Sequence, residues 1–226
     1  MVLTDWFAHN RPMGSHVASL LALSLAWILY GALHSGLAAL GTKRWVAGRL
    51  PRLVPAYRLL YNLLAGLALL PVLGLLWRHP GPWLWRWHGG PAWAMNGLGL
   101  AALGLLLAGS GVYDLEAFLG LRQLRERWEA PGDREPFRVG TLHRYVRHPW
   151  YALSLLLLWT RDMNAARLVS ALWITGYFIL GSRLEESKLV QQFGEAYRDY
   201  RTRVPGLLPR PWRTLSREEA RRLGGA

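Results

Sequence analysis

LHRYVRHPWY (142–151) and SRLEESKLVQQFGEAYRDYRTRVPGLLP (182–209) enclose two apolar runs near the end of this 226-residue chain. Charge lies on both sides of the apolar runs, which predicts a hairpin of helices in lipid between two polar clusters. Pro149 favours an extended conformation for the residue before it and suits the first turn of a helix, so the hairpin begins there. The positive end of that helix would lie beside Arg144 and Arg147, an arrangement that binds a carboxylate or a phosphate.

Two adjacent carboxylates are expected at the same membrane depth as these arginines. Glu185 and Glu186 directly follow an apolar run, where a helix leaves the membrane. Carboxylates there are costly unless a cation or water meets them. Arginines and glutamates at one depth can together bind a zwitterion, because each charge of the ligand finds its opposite. S-adenosylmethionine is such a ligand, with a carboxylate for the arginines and an ammonium group for the glutamates.

Four motifs follow one another in the carboxyl-terminal third: RHPWY (147–151), EE (185–186), FGEAYRDY (193–200) and VPGLLP (204–209). Their order, with a hairpin between the first two, resembles a membrane methyltransferase superfamily. That superfamily includes isoprenylcysteine carboxyl methyltransferases and phospholipid N-methyltransferases. The resemblance implies a pocket for S-adenosylmethionine built by the first two motifs. The implied cofactor-binding residues are Arg147, His148, Tyr151, Glu185 and Glu186.

The amino-terminal half extends the resemblance to a bacterial branch of this superfamily. LHSGLAAL (33–40), YRLLYNL (57–63) and YDLEAFLGLRQ (113–123) are similar to segments of methanethiol S-methyltransferases and of a membrane family linked to nitrite and nitric-oxide reduction. The resemblance implies five transmembrane helices in a bacterial inner membrane and methyl transfer to a small or lipophilic acceptor. A thiol or an isoprenylcysteine-like carboxylate is the expected acceptor, and an amine stays open.

The residues that would act on the acceptor are the least specified part of this hypothesis. A thiol acceptor has to lose its proton, and His34, His143 or His148 could accept it. An arginine could instead stabilise a thiolate or a carboxylate, and Arg144 and Arg201 are the candidates. We therefore expect catalytic roles for Arg144, His148 and Arg201. No metal role is expected, since the histidines lack the spacing of metal ligands.

One departure from the superfamily pattern leaves a non-catalytic alternative open. Leu153 stands two residues after Tyr151, where the pattern has a glycine that lets the backbone approach the cofactor. A membrane accessory protein that keeps the fold without the chemistry is the second hypothesis. A small transporter is the third, and it is disfavoured because the spans lack inverted repeats and the ionisable residues gather at one interface.

Composition predicts one all-α integral membrane domain over residues 1–226. Hydrophobic residues make up 52% of the chain, with 13 tryptophans, and several apolar runs approach the ~20 residues that cross a bilayer. Three helices with their loops are expected in 1–141, the cofactor-binding core in 142–209, and a tail with a short surface helix in 210–226. The absence of cysteine excludes disulfides, cysteine–zinc sites and thiol nucleophiles.

About five transmembrane helices are predicted, the last two as a tight hairpin. The expected spans are residues 17–40, 57–77, 92–112, 149–160 and 165–181. An aromatic belt with a re-entrant turn is expected at 79–93, an amphipathic interfacial helix at 113–124 and a polar turn at 131–136.

The distribution of lysine and arginine predicts the orientation. Positive charge is concentrated in residues 43–58, in 122–147 and from 183 onward, and such segments stay in the cytoplasm. The N-terminus is therefore expected outside and the C-terminal helix in the cytoplasm, with both polar clusters on the cytoplasmic side. The net charge of +13 indicates attraction to anionic membrane lipids, because no nucleic-acid-binding motif accompanies it.

Overall fold

The computed structural model describes residues 13–110, 115–128 and 137–224, which are mostly helical. Contacts between Cα atoms divide the chain into two compact units. The first unit comprises residues 1–86, 110–133 and 162–173, and the second comprises 87–109, 134–161 and 174–226.

The described residues form helices of very different length and two short strands. The helices are α1 (Met13–Ala38), α2 (Leu40–Arg49), α3 (Tyr57–Arg78), α4 (Gly89–Ser110), α5 (Leu115–Leu119), α6 (Leu121–Arg125), α7 (Pro149–Trp159), α8 (Ala165–Arg203) and α9 (Arg217–Gly224). Two short strands are β1 (Trp83–Trp85) and β2 (Met163–Asn164), and 3-10 turns lie at Pro51–Leu53 and Leu142–Arg144.

Four helices of the described residues, α1, α3, α4 and α8, are long and apolar enough to cross a membrane. They contain between 21 and 39 residues, and about 20 helical residues span the hydrocarbon core. Their apolar side chains are largely exposed to the outside of the protein, as lipid contact requires. The chain is therefore an integral membrane protein, and helices are present within a few residues of the first three predicted spans, although residues 111–112 lie outside the described residues.

In the first unit, α1 packs on α3 and on the start of α8. Leu23, Val72 and Ala166 form its buried core. The indole N–H of Trp27 donates to the hydroxyl of Ser170 (2.9 Å). His34 of α1 lies 2.6 Å from the Tyr61 hydroxyl of α3, measured from Nε2 to the oxygen. The imidazole therefore bonds a neighbouring helix.

The tryptophan-rich segment before α4 differs from the predicted re-entrant turn. Strand β1 pairs with β2 in an antiparallel two-stranded sheet, so the all-α prediction omitted one small element. The physical reason lies at the start of α8, where the first N–H groups have no partner within the helix. The carbonyls of Pro80 and Pro82 accept bonds from Ala166 and Ala165, at 3.1 and 3.0 Å. This pairing keeps the segment extended.

Helix α8 is longer than the predicted span, which ended at Gly181. It runs for 39 residues with a break at Gly194, whose φ of 57° and ψ of −129° are open only to glycine. Glu185 and Glu186 therefore lie inside the helix, well before its end. The break changes the direction of the last turns, which carry Tyr197 and Tyr200.

The C-terminal tail forms the short helix that the sequence predicted, and its inner side is buried. Ser216 and Glu219 cap α9 reciprocally, since the amide of Ser216 donates to the Glu219 carboxylate (2.7 Å) and the amide of Glu219 donates to the Ser216 hydroxyl (3.1 Å). Leu215 and Ala220 pack against Tyr197 and Tyr200. The tail is thus part of the core of the second unit.

The amphipathic segment after α4 is described from Leu115 onward, and it consists of two short helices instead of one. They are separated by Gly120, which has a φ of 91°. Arg58 and Asn62, at the start of α3, donate side-chain bonds to the Phe118 carbonyl at 3.2 and 3.0 Å. The segment is therefore held at the beginning of a membrane span. Residues 113–114 and the predicted turn at 131–136 lie outside the described residues.

Replacing Gly120 by alanine is expected to destabilise the first unit. A Cβ atom there would lie 2.4 Å from the backbone nitrogen of Leu59, and the positive φ is unfavourable for alanine. The expected cost exceeds about 1 kcal/mol, measured as a lower thermal midpoint in detergent. Gly66→Ala is the matched control, because nothing lies within 4 Å of its added Cβ. Equal midpoints for the two variants would contradict the close approach at Gly120.

Candidate functional site

The site begins with a backbone pairing between the segment before α7 and the segment after α8. The amide of Arg147 donates to the carbonyl of Pro205 (2.8 Å), and the amide of His148 donates to the carbonyl of Gly206 (3.1 Å). His148, with a φ of −122° and a ψ of 68°, is neither helical nor fully extended, and it directly precedes Pro149, which is the first residue of α7 as predicted. The VPGLLP motif therefore acts through its backbone, because it supplies acceptors that fix the start of α7.

The Arg147 side chain joins α7, α8 and this C-terminal segment. Its Nε and Nη2 atoms donate to the same carboxylate oxygen of Glu186, at 2.8 and 2.7 Å. Its Nη1 atom donates to the carbonyls of Arg201 (2.9 Å) and Val204. The Arg147 and Glu186 side chains are each only 12% exposed. Most of the donor capacity of Arg147 is therefore used inside the protein, in a charge-assisted network.

His148 lies between the two carboxylates. Its Nε2 atom is 3.0 Å from Oε1 of Glu186 and its Nδ1 atom is 3.5 Å from Oε2 of Glu185. Burial lowers the pKa of His148, but the hydrogen bonds and negative charges of Glu185 and Glu186 outweigh it and raise the pKa above the ordinary value. The imidazole is therefore held toward its cationic form.

Glu185 is the member of the pair that faces outward. Its side chain is 48% exposed, four times the fraction of its neighbour. The Tyr151 hydroxyl donates to its Oε2 atom (3.3 Å). Residues that follow each other on a helix point about 100° apart, so one glutamate reaches Arg147 while the other remains accessible. The two glutamates therefore have different surroundings and different chemical uses.

An aromatic stack forms one wall of the site. The Tyr151 ring lies parallel to the His148 ring (5.5 Å between centroids, 6° between planes) and to the Phe178 ring (4.6 Å, 14°). Sequence reasoning missed Phe178. Its signal was its position seven residues, or two helical turns, before Glu185, which places both on one helix face.

A second aromatic cluster supports the polar segment from behind. Phe137 packs against Phe193, Tyr197 and Tyr200, with centroid distances of 5.4 to 5.7 Å. The Tyr200 hydroxyl donates to the carbonyl of His143 (2.7 Å). The FGEAYRDY motif thus contributes packing and one backbone anchor.

Arg144 and Arg201, the two arginines predicted to act on the methyl acceptor, have partners other than Glu185 and Glu186. The Nε atom of Arg144 donates to the carbonyl of Leu215 (2.9 Å), and the Leu215 amide donates back to the carbonyl of Arg144 (3.1 Å). The Arg201 side chain is exposed, and its carbonyl accepts the bond from Arg147. Their roles toward an acceptor stay predictions.

Known proteins resemble this chain over most of its length. Methanethiol S-methyltransferase 2 of Bradyrhizobium diazoefficiens is 36% identical over 203 residues, which are 87% of this chain and 76% of that protein. The methanethiol S-methyltransferase of Mycobacterium tuberculosis is 35% identical over 191 residues, 82% of this chain and 76% of that protein. The one from Pseudomonas deceptionensis is 32% identical over 212 residues, 88% and 76% of the two chains. No protein-family profile and no solved structure matches the chain.

Apolar spans together with these relatives define the chain as an integral membrane methyltransferase. It belongs, more narrowly, to the methanethiol S-methyltransferase family, because it covers 76% of these relatives at 32 to 36% identity. The family resemblance that the motif order predicted is confirmed. The roles of the individual site residues stay predictions.

Glu186→Gln is expected to destabilise the protein far more than Glu185→Gln does. Removing the Glu186 charge leaves the buried guanidinium of Arg147 without its carboxylate, which costs about 3 kcal/mol. The half-exposed Glu185 contributes less than about 1 kcal/mol. Thermal or denaturant unfolding in detergent measures both effects. A Glu185→Gln variant that is the less stable of the two would contradict this assignment.

The protonation of His148 is expected to depend on Glu186. Because its pKa is raised above 6.5 in the folded protein, its contribution to stability is complete below that value and is lost as pH rises through the raised pKa. Glu186→Gln should lower the pKa of His148 and move this loss to lower pH. NMR titration of histidine-labelled protein in nanodiscs measures it. Glu195→Gln is the control and should leave the titration unchanged.

Proposed function

We propose that this protein transfers a methyl group from S-adenosylmethionine to a small or lipophilic thiol at the cytoplasmic face of the bacterial inner membrane. The names of the relatives support a thiol acceptor. The observation that carries the cofactor assignment is the half-exposed carboxylate of Glu185 beside the parallel rings of Tyr151 and Phe178. An isoprenylcysteine-like carboxylate is the second acceptor in this proposal.

The accessible negative charge of the site suits a cationic cofactor. S-adenosylmethionine supplies an electrophilic methyl group on a positively charged sulfonium and also carries an ammonium group. An accessible carboxylate stabilises a cation at close range. Glu185, to which the Tyr151 hydroxyl donates, is therefore the residue proposed to meet the positive groups.

The proposal divides the predicted cofactor-binding residues into two sets. Arg147 and Glu186 satisfy each other, so their part is to hold α7, α8 and the C-terminal segment in place. His148 is bonded to both carboxylates and orients them. Tyr151 donates to Glu185 and stacks on His148 and Phe178, so Glu185 is the residue proposed for direct contact. Methyl transfer is an in-line displacement that depends on positioning and exclusion of water, and a rigid frame of buried ion pairs supplies the positioning.

The proton of the acceptor is assigned to His143 in this proposal. Burial lowers the pKa of His143, and the nearby positive charge of His148 lowers it further, although Glu185 opposes both effects. An imidazole with a lowered pKa is neutral at pH 7 and can take a proton on its unprotonated nitrogen. His148, whose pKa is raised, is poorly suited to that task. His143 is therefore the better base for a thiol.

The architecture proposed for this function has five transmembrane helices. Helix α7 has only 11 residues, fewer than the ~20 that cross a bilayer alone. In this proposal it is the short arm of a hairpin with α8, and the polar segment before it stays at the cytoplasmic interface. The indole N–H of Trp159 donates to the hydroxyl of Thr175 (3.0 Å), and Tyr151 stacks on Phe178. Trp159, at the end of α7, therefore contacts an earlier residue of α8 than Tyr151, near the start of α7, does. This order supports an antiparallel hairpin.

The proposed orientation has the N-terminus outside and the C-terminal helix in the cytoplasm. Charge supports it, because most lysine and arginine residues fall in segments assigned to that side. A polar cofactor would then enter from the cytosol while a lipophilic acceptor enters from the bilayer.

Calorimetry with S-adenosylmethionine and S-adenosylhomocysteine on the detergent-purified protein tests the cofactor assignment. Saturable binding is expected for the parent, and Glu185→Gln should weaken binding of S-adenosylmethionine by about 10- to 100-fold, since one charge-assisted contact is lost. Glu195→Gln, on the exposed part of α8, is the matched control and should bind as the parent does. No binding by a folded parent would favour the accessory protein that Leu153 left open.

Acceptor choice is tested by product analysis on the same preparation. Methanethiol and longer alkyl thiols should be methylated, with the thioether detected by gas chromatography and S-adenosylhomocysteine formed in equal amount. Methylation of a farnesylcysteine carboxylate with no reaction of thiols would replace the thiol by the second acceptor.

A further inference from the structure

A separate part of the molecule, in the first unit, combines positive charge and exposed apolar side chains. The segment LGTKRWVAGRLPRLVPAYR (40–58) contains five lysine and arginine residues and no acidic residue. It comprises α2 and the 3-10 turn at Pro51–Leu53, between two membrane-spanning helices. We call its charged part, Lys43, Arg44, Arg49 and Arg52, the basic patch.

The cations of the basic patch are turned to the outside. Arg44, Arg49 and Arg52 are exposed. Within the part of the chain that the structure describes, no residue of the patch forms an ion pair with an acidic residue. In the second unit, by comparison, Arg198, Arg203 and Arg222 each meet a carboxylate. The patch is therefore a concentration of uncompensated charge.

Apolar side chains accompany this charge. Trp45 and Arg49 are four residues apart on α2 and therefore share a helix face. Both are exposed, as is Arg44, whereas Val46 is buried. Trp45 has 58% of its surface exposed, and Leu50 and Leu53 have more than 40%. Tryptophan with flanking arginines is the composition of a helix that lies in the membrane interface.

Two side-chain bonds hold the segment at the level where the spans end. The Thr42 hydroxyl donates to the carbonyl of Gly36 (2.6 Å), and the Tyr57 hydroxyl donates to the carbonyl of Leu37 (2.6 Å). Gly36 and Leu37 belong to the last turns of α1, a membrane span. The basic patch therefore lies at the height of the lipid headgroups, and its charges meet whatever phosphates are there.

We propose that the basic patch binds the headgroups of anionic phospholipids, with Trp45, Leu50 and Leu53 entering the boundary of the acyl chains. Charge complementarity and position at the end of two spans select a lipid phosphate over a soluble partner, because the patch shares the plane of the headgroups. Each cation near a membrane surface contributes to attraction of anionic lipid. The long arginine side chains reach the phosphates while their aliphatic stems stay on apolar surface.

Native mass spectrometry of protein released from nanodiscs tests this proposal. The nanodiscs contain phosphatidylglycerol and phosphatidylcholine with identical acyl chains in equal amounts. The parent should retain phosphatidylglycerol preferentially, and retention should fall as sodium chloride rises. A triple variant, Arg44→Gln with Arg49→Gln and Arg52→Gln, should bind phosphatidylglycerol about 100-fold more weakly. Binding of phosphatidylcholine should change little.

The control variant removes the same charge elsewhere, with Arg198→Gln, Arg217→Gln and Arg221→Gln, and should retain phosphatidylglycerol as the parent does. A triple arginine-to-lysine variant of the patch keeps the charge and should also bind as the parent does, which separates charge from folding. Equal losses in the patch and control variants would overturn the proposal. So would release of the lipid by millimolar inorganic phosphate, which would indicate a site for a soluble anion.

Discussion

The ion pair of Arg147 and Glu186 is the interaction on which the second unit depends. It joins the start of α7 to the middle of α8, and the same guanidinium holds the carbonyls of Arg201 and Val204. A buried arginine is tolerated when its donors are satisfied and is strongly destabilising when they are not. His148 and Glu185 are arranged around this pair. The candidate site is thus a half-exposed carboxylate, Glu185, next to a largely buried charge pair.

Much of the fold and the membership of the site could be predicted from the sequence, because the signals are local. Apolar runs of about 20 residues identify membrane spans without knowledge of their neighbours. Pro149 marks the start of a helix through its own geometry. The order of the RHPWY and EE motifs predicted that Arg147, His148 and Tyr151 would meet Glu185 and Glu186, and the structure brings these five residues together.

The remaining features depend on residues that are distant in sequence. The pairing of β1 with β2 exists because the first amides of α8 need acceptors, which residues some 80 positions earlier supply. Helix α8 continues past Gly181, and in this continuation Glu186 bonds Arg147 and His148. Likewise, nothing local distinguishes Glu185 from Glu186, since two neighbouring acids have the same propensities. Only the position of Arg147 decides which of them is turned inward.

The distance along the chain between Arg147 and its partners has a consequence for biosynthesis. Glu186 follows Arg147 by 39 residues and Val204 follows it by 57. A ribosome adds about 5 to 20 residues per second, so it needs roughly 3 to 11 seconds to extend the chain from Arg147 to Val204. During that time the guanidinium of Arg147 lacks the acceptors that it has in the folded protein. We therefore expect the contacts of Arg147 to be completed only after the C-terminal segment has been made.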